Sequence, residues 1–480
     1  MLLGGHRHWR AQNAPRELKL RFVRARPAFA LLLVISLLAS PLAAQSGVDA
    51  PNFAPAIGPW LGAARGQIAE VEPGTNSLTV SGTARDPDSA QRISYELLLD
   101  GDVVASGRTA QPDDFGANVG FSERLDAEPG LHELCLRLDD PSLGRRTVQC
   151  QDVITLPPER VDRGVAADAT GVAVSSTGVV VPITGGTAGN LQVTTPCGAA
   201  ARLTDAEIVE RARIVIDPGH GGSESGAVGG GLFEKNVNLV VSNVVVEKFE
   251  ELGIPVQLTR TADYRVPLQS RADIATALAP DIFLSLHHNG GALRPSAEPG
   301  TEIFYAQGRD DSQRLAAILY EEMHAAASQF DANWVSTVNQ GASVRLRDDG
   351  MDLFGIHRFS PGIDSVITEF LYLSNPSEAA LMRDPAVIEA QAQSIVDGIL
   401  RWWFDDADDP TTPGREFVDP GSTGTGGFDA CVDPPLNGTD PFLTATAADE
   451  LTANALGTDQ PAPPRTLLPA LVLGADPAIG

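Results

Sequence analysis

Positive charge is scarce in this 480-residue chain: 35 lysines and arginines stand against 62 aspartates and glutamates, a formal net charge of −27. Seven of the positive residues are gathered at the start. Arg7, Arg10, Arg16, Lys19, Arg21, Arg24 and Arg26 precede the apolar run AFALLLVISLLA and the small residues SPLAAQS. This order is expected of an export signal over residues 1–45, cut near Ala44. The apolar run is short for a membrane span, so no stable membrane insertion is expected after signal removal. Without that segment the net charge falls to about −33. Such a chain argues against nucleic acid as a partner, and no basic patch remains for a lipid surface.

Histidine and cysteine are also few, eight and four respectively. Export permits disulfides. In LHELCLRLDDPSLGRRTVQCQDV a turn centred on PSLG sets residue 140 opposite 145, 139 opposite 146, and Cys135 opposite Cys150. That pair is within bridging reach. Cys197 and Cys431 flank the long middle region and are candidates for a second bridge stapling its ends.

Glycine (47) and proline (35) are plentiful, which points to loops and linkers joining more than one folded unit. Residues 46–65 are expected to be a linker. From 66 to 156, short runs such as SLTVSGTA, RISYELLLDG and HELCLRL are separated by DPDS, LDGD, EPG and DPSLG, the rhythm of an all-β sandwich. Residues 157–205 are expected to be a linker with a possible hairpin in GVVVPITGG. From 206 to 404 the texture changes. Strand-like runs (RIVIDPG, PVQLTRT, DIFLSLHHN, SVITEFLYLSN) alternate with helical patterns, and Val237, Val240, Val241, Val244 and Val245 share one helix face. This predicts an open α/β sheet covered on both sides. The acidic Pro/Gly/Thr-rich tail, 405–480, is expected to be mostly disordered.

Ligands of an open α/β sheet collect beyond the carboxyl ends of its strands. Four polar residues are predicted there. His220 follows RIVID in PGHGG, Glu234 opens the first long helix, His287 ends DIFLSL, and Glu369 lies late in SVITEF. Two histidines and a glutamate form a familiar catalytic zinc set with a fourth position left open. Glu369 is then available as a base. Asp217 is a candidate for orienting the loop or a ligand, or for satisfying backbone amides. Arg260 and Arg271 are candidates for gripping substrate carboxylates, or for pairing with Asp263 or Asp273.

Six motifs in order (IDPGHGG, EKNVNL, LTRTADYRVPLQSRADIA, DIFLSLHHN, GTEIFY and ITEFLYLSNPSEA) give residues 212–404 a specific resemblance to the zinc-dependent N-acetylmuramoyl-L-alanine amidases of bacterial cell walls, type 3. The resemblance implies zinc bound by His220, Glu234 and His287, with Glu369 catalytic. It leaves His288 as a neighbour that lines the cleft or hydrogen-bonds substrate. It also implies peptidoglycan as partner, hydrolysis of the amide between N-acetylmuramic acid and L-alanine for wall remodelling or lysis, and residence outside the cell or in the wall or periplasmic space. EFLYLSN is bulkier than the family's usual Gly-Phe-x-Ser-Asn run. No second long helix is evident between 290 and 365 to plug the site, as happens in activator-controlled relatives, which favours constitutive activity. The pattern V-S-G-x-A-x-D-P-D with D-G and P-G-x-H resembles an immunoglobulin-like module of actinobacterial exported proteins, a spacer or a contact to wall or protein. Two alternatives stay open: a zinc peptidase cutting within the stem peptide, and a non-catalytic wall-binding protein.

Overall fold

The computed structural model describes residues 63–437, except 87–91, 113–117, 141–142, 162, 292–293, 338–339, 406–409 and 420–425. The expected export signal, most of the linker after it, and the end of the tail lie outside the described residues. Among the described residues no helix is long and apolar enough to cross a membrane.

Residues 65–155 form two four-stranded sheets, antiparallel throughout, around one core. Alternation builds that core: Leu78, Val80, Tyr95, Leu97, Phe121, Leu125, Leu134 and Leu136 point inward from both sheets. Cys135 and Cys150 are disulfide-bonded, as the hairpin arithmetic expected. The arithmetic was one residue off nearer the turn, where Asp140 faces Gly144 and Asp139 faces Arg145. A bulge between Leu136 and Arg137 absorbs the difference before the cysteines meet. Leu156 then exchanges backbone hydrogen bonds with Gly74 and Asn76, and Ile154 and Leu156 join the core of the following domain.

That domain is built on seven strands: β1 (Ile214–Pro218), β2 (Val256–Leu258), β3 (Ile282–Asn289), β4 (Glu302–Tyr305), β5 (Gly341–Leu346), β6 (Asp364–Tyr372) and β7 (Arg415–Val418). Their order is β2-β1-β3-β6-β4-β5-β7, parallel except where β4 meets β6. Four long helices accompany them: α1 (Glu234–Glu251), α2 (Leu268–Leu278), α3 (Asp310–Ala327) and α4 (Pro385–Phe404). One sheet face, with Ile214, Ile216, Ile282, Leu284 and Leu286, packs on apolar residues of α1, α3 and α4. The predicted valine stripe of α1 lies here; four of its valines are buried and Val244 is partly so. The other face, with Val215, Phe283, Phe304 and Ile367, packs on α2.

The segment 157–205 is more than a linker. Its hairpin, Val180–Thr187 with Asn190–Thr194, belongs to a five-stranded sheet completed by Val172–Ser175, Ala200–Leu203 and Ala206–Val209. Val172, Val179, Val181, Leu191 and Leu203 are buried in the same core as α2. These short runs looked like linker because each buries little alone; their apolar face is completed by Ile274 and Leu278 of α2. The tail also differs from expectation in its first part. Arg415–Val418 extends the sheet, and Cys431 is disulfide-bonded to Cys197. Asp433 accepts hydrogen bonds from Thr195 Oγ1 and the Cys197 amide.

Replacing both Cys197 and Cys431 with serine is expected to cost about 2–5 kcal/mol, since the bridge closes a long loop. Denaturant unfolding of the double variant measures this, and an unchanged midpoint would contradict a structural role for the bridge.

Candidate active site

The site forms where the strand order puts β1, β3 and β6 side by side with their carboxyl ends together. Neighbouring residues of a strand point to opposite faces, so the two adjacent histidines of β3 part company. His287 faces the site, directly beside Glu369 on β6, which itself faces Glu302 on β4. His288 follows Leu284 and Leu286 into the helix layer and is 1% exposed. It therefore does not line the cleft. A bulge between His287 and Asn289, where β6 supplies the extra residue, ends the regular pairing beside the site.

His220 stands in the loop after β1 with φ of 61°, a left-handed conformation uncommon for histidine. Two buried arginines hold this loop by its carbonyls. Arg260 donates to Pro218 O at 2.8 Å and Gly219 O at 2.9 Å; Arg271 donates to Pro218 O at 2.9 Å and His220 O at 2.6 Å. Arg271 also pairs with Asp217, which accepts from Thr259 and Ser285 as well. Burial opposes the charge of Asp217, but Arg271 and these hydroxyls outweigh it and hold its pKa below the ordinary range. The arginines thus serve neither substrate carboxylates nor Asp263 and Asp273. Asp263 pairs with Lys235 and the Gly222 amide, and Asp273 accepts from Gln269.

Glu234 is the first residue of α1, where a carboxylate is favoured by the helix dipole. Its Oε2 lies 3.1 Å from His220 Nε2 and accepts from the Ala227 amide at 2.7 Å. Its Oε1 lies 2.9 Å from His287 Nδ1 and accepts from the His288 amide at 3.1 Å. The donor atoms of His220, Glu234 and His287 all fall within 4.8 Å of one another. Two glycines make room for them. A Cβ on Gly219 would sit 2.2 Å from His287 Cε1, and one on Gly226 would sit 2.4 Å from Glu234 Oε2. Burial disfavours the charged form of Glu234, yet hydrogen bonds and charge from both histidines bring its pKa well below the ordinary value.

Glu369 has the opposite bias. Burial first, then the neighbouring carboxylates Glu234 and Glu302, push its pKa well above the ordinary 4.5. Its Oε2 is buried without a hydrogen-bond partner. Glu302 was not singled out from the sequence, although it stands in GTEIFY. It is buried and accepts from Asn289 Nδ2, Thr337 Oγ1 and Tyr372 OH.

The sequence profile of the N-acetylmuramoyl-L-alanine amidase family, Amidase_3, matches residues 214–401. The uncharacterized protein YqiI of Bacillus subtilis is 33% identical over 211 residues, 42% of this chain and 92% of that protein. The chain belongs to the N-acetylmuramoyl-L-alanine amidase family. The amidase AmiA of Escherichia coli is 28% identical over 225 residues, covering 40% of this chain and 77% of AmiA. The solved structure of the amidase AmiC2 of Nostoc punctiforme is 30% identical over 39% of this chain and 95% of that one, with a TM-score of 0.33. The β-sandwich and the five-stranded sheet lie outside the matched amidase segment.

Two outcomes follow from this geometry. Replacing Arg271 with methionine leaves Asp217 buried without its ion partner and is expected to cost about 3–5 kcal/mol in denaturant unfolding. A change within about 0.5 kcal/mol, the range of surface substitutions, would contradict its anchoring role. The second concerns pH. Unfolding returns the raised pKa of Glu369 to its ordinary value, so ionisation costs the folded state stability as pH rises above 4.5. Metal-stripped Glu369→Gln protein is therefore expected to melt higher than the metal-stripped parent at alkaline pH. The difference should shrink towards zero as pH falls to 4.5 and below; a gap independent of pH would contradict the assignment.

Proposed function

We propose that this chain is a zinc-dependent hydrolase of peptidoglycan that cleaves the amide between N-acetylmuramic acid and L-alanine, in wall remodelling or lysis outside the cell. The observation that carries it is the carboxylate of Glu234 held between His220 and His287, with the unpartnered oxygen of Glu369 one strand away. Two imidazoles and one buried carboxylate within a 4.8 Å span suit zinc in number, type and spacing. Bound there, zinc would supply Lewis-acid polarisation of the amide carbonyl and ease the ionisation of water.

The chain's own residues do the rest. Glu369 takes a proton from the attacking water as the C–O bond forms, and returns it to the alanine nitrogen as the C–N bond breaks. Its burial favours the protonated form, which suits a base that must hold the proton before giving it back. Asp217, Arg260 and Arg271 keep the His220 loop in its left-handed conformation throughout. Activity is expected without an activator. Among the described residues between 290 and 365 the one long helix, α3, packs its Leu315, Ile318, Leu319 and Met323 into the core of the sheet. The β-sandwich is read as an immunoglobulin-like spacer or a contact to wall or protein. Export by a cleaved signal over residues 1–45 completes this reading.

Mass spectrometry of fragments released from purified peptidoglycan tests it. Free stem peptides beginning with L-alanine, beside intact glycan, are expected, and Glu369→Gln should lower their release about 10²–10⁴-fold. Fragments cut within the stem would replace the amidase with a peptidase on the same residues. No release by a folded, zinc-loaded chain would favour a wall-binding protein.

A further inference from the structure

We propose that Gln391, His288 and Asn238 form a buried hydrogen-bond chain of fixed direction that orients Glu234, making His288 a positioning residue rather than a ligand or a cleft residue. This rests on the zinc reading above. All three residues are essentially inaccessible. Asn238 lies one helical turn after Glu234 on α1, so the two share a face. Its Nδ2 donates to Glu234 Oε1 at 3.3 Å and to Gly219 O at 3.2 Å. Both amide hydrogens are thereby used on the two elements that carry candidate ligands. Asn238 Oδ1 must then face His288 Nδ1, 2.8 Å away, and Nδ1 must carry a hydrogen to donate to it.

A neutral imidazole with hydrogen on Nδ1 has only an acceptor at Nε2. That atom lies 3.1 Å from the Gln391 carboxamide of α4. Gln391 Nε2 has no hydrogen-bond partner while its oxygen faces the ring. Turning the carboxamide brings the nitrogen against His288 Nε2, giving that donor and that acceptor each other. The alternative, a doubly protonated ring donating to two oxygens, places a charge in a dry layer beside Phe370.

The direction of the chain follows: Gln391 donates to His288, His288 to Asn238, Asn238 to Glu234. It ends on Oε1, the oxygen beside His287 Nδ1. Without the His288 donor, Asn238 is free to turn and bring its oxygen against Glu234. Supporting hydrogen bonds of this kind alter metal affinity about 10–100-fold.

The test is zinc titration of metal-stripped full-length protein against a competing chelator, with melting temperature of the metal-free forms alongside. One zinc is expected in the parent, bound about 10–100-fold more weakly by His288→Leu. His288→Asn, whose amide reproduces the Nδ1 donor, should stay close to the parent. A folded His288→Leu protein that binds zinc as tightly as the parent, merely melting lower, overturns the proposal. A parent that takes up no zinc overturns the metal reading and this one with it. Should His288→Leu fail to fold, ¹⁵N spectra of histidine-labelled parent decide, with the His288 signals assigned by their absence in His288→Asn. A hydrogen on Nδ1 is expected; one on Nε2 overturns the chain.

Discussion

Asp217 and Arg271 meet at 2.5 Å with neither side chain reaching solvent. Burying two charges is costly unless the remaining donors and acceptors are used, and here they are. Asp217 takes two hydroxyls, from strands or loops on either side, and Arg271 donates three further hydrogen bonds, to the carbonyls of Val266, Pro218 and His220. Arg260, fully buried beside it, donates to four carbonyls, sharing that of Pro218 and adding those of Gly219, Ala262 and Lys235. The start of the loop between β1 and α1 is therefore held by side-chain hydrogen bonds, beside the short pairing of Val228–Gly229 with Leu232–Phe233 further along it. His220 keeps a left-handed backbone near its start, and the strain of that conformation is offset by these bonds. The same loop supplies the glycines against which His287 and Glu234 lie.

From this fixed loop the rest of the geometry follows by strand alternation. β1 and β3 each send alternate residues to one face, so Asp217, Ser285 and His287 stand together while Ile216, Leu286 and His288 do not. The opening of α1 brings Glu234 against both histidines, and β6 sets Glu369 one strand beyond His287. Opposite pKa shifts of the two glutamates reflect their surroundings: two imidazoles outweigh burial at Glu234, while at Glu369 burial and then the charges of Glu234 and Glu302 act together. The candidate base and the candidate ligand are thereby given opposite biases by their environments.

Much of this was legible in the sequence because the motifs lie at strand and helix ends, where position dictates direction. His220, Glu234, His287 and Glu369 were brought together that way, whereas His288, expected to line the cleft or hydrogen-bond substrate, follows the strand alternation into the helix layer instead. The partners of Arg260 and Arg271 were not legible. A buried arginine satisfied by carbonyls reads the same as one awaiting a carboxylate, and only the fold distinguishes them. Glu302 was passed over because a single glutamate in a strand carries no spacing signal, although it stands opposite Glu369. The five-stranded sheet after the sandwich was hidden for another reason: its strands are short and its apolar face is completed by α2, far along the chain. The Cys135–Cys150 pairing survived a register error because a bulge compensated for it.

The central claim is that His220, Glu234 and His287 together hold one zinc ion. X-ray absorption at the zinc edge of the loaded protein tests it most directly. Two imidazole nitrogens and a carboxylate oxygen at about 2.0–2.2 Å are predicted, with loss of the imidazole signal in His220→Ala and His287→Ala. A sulfur ligand, a shell of oxygens alone, or an unchanged spectrum in those variants would contradict it.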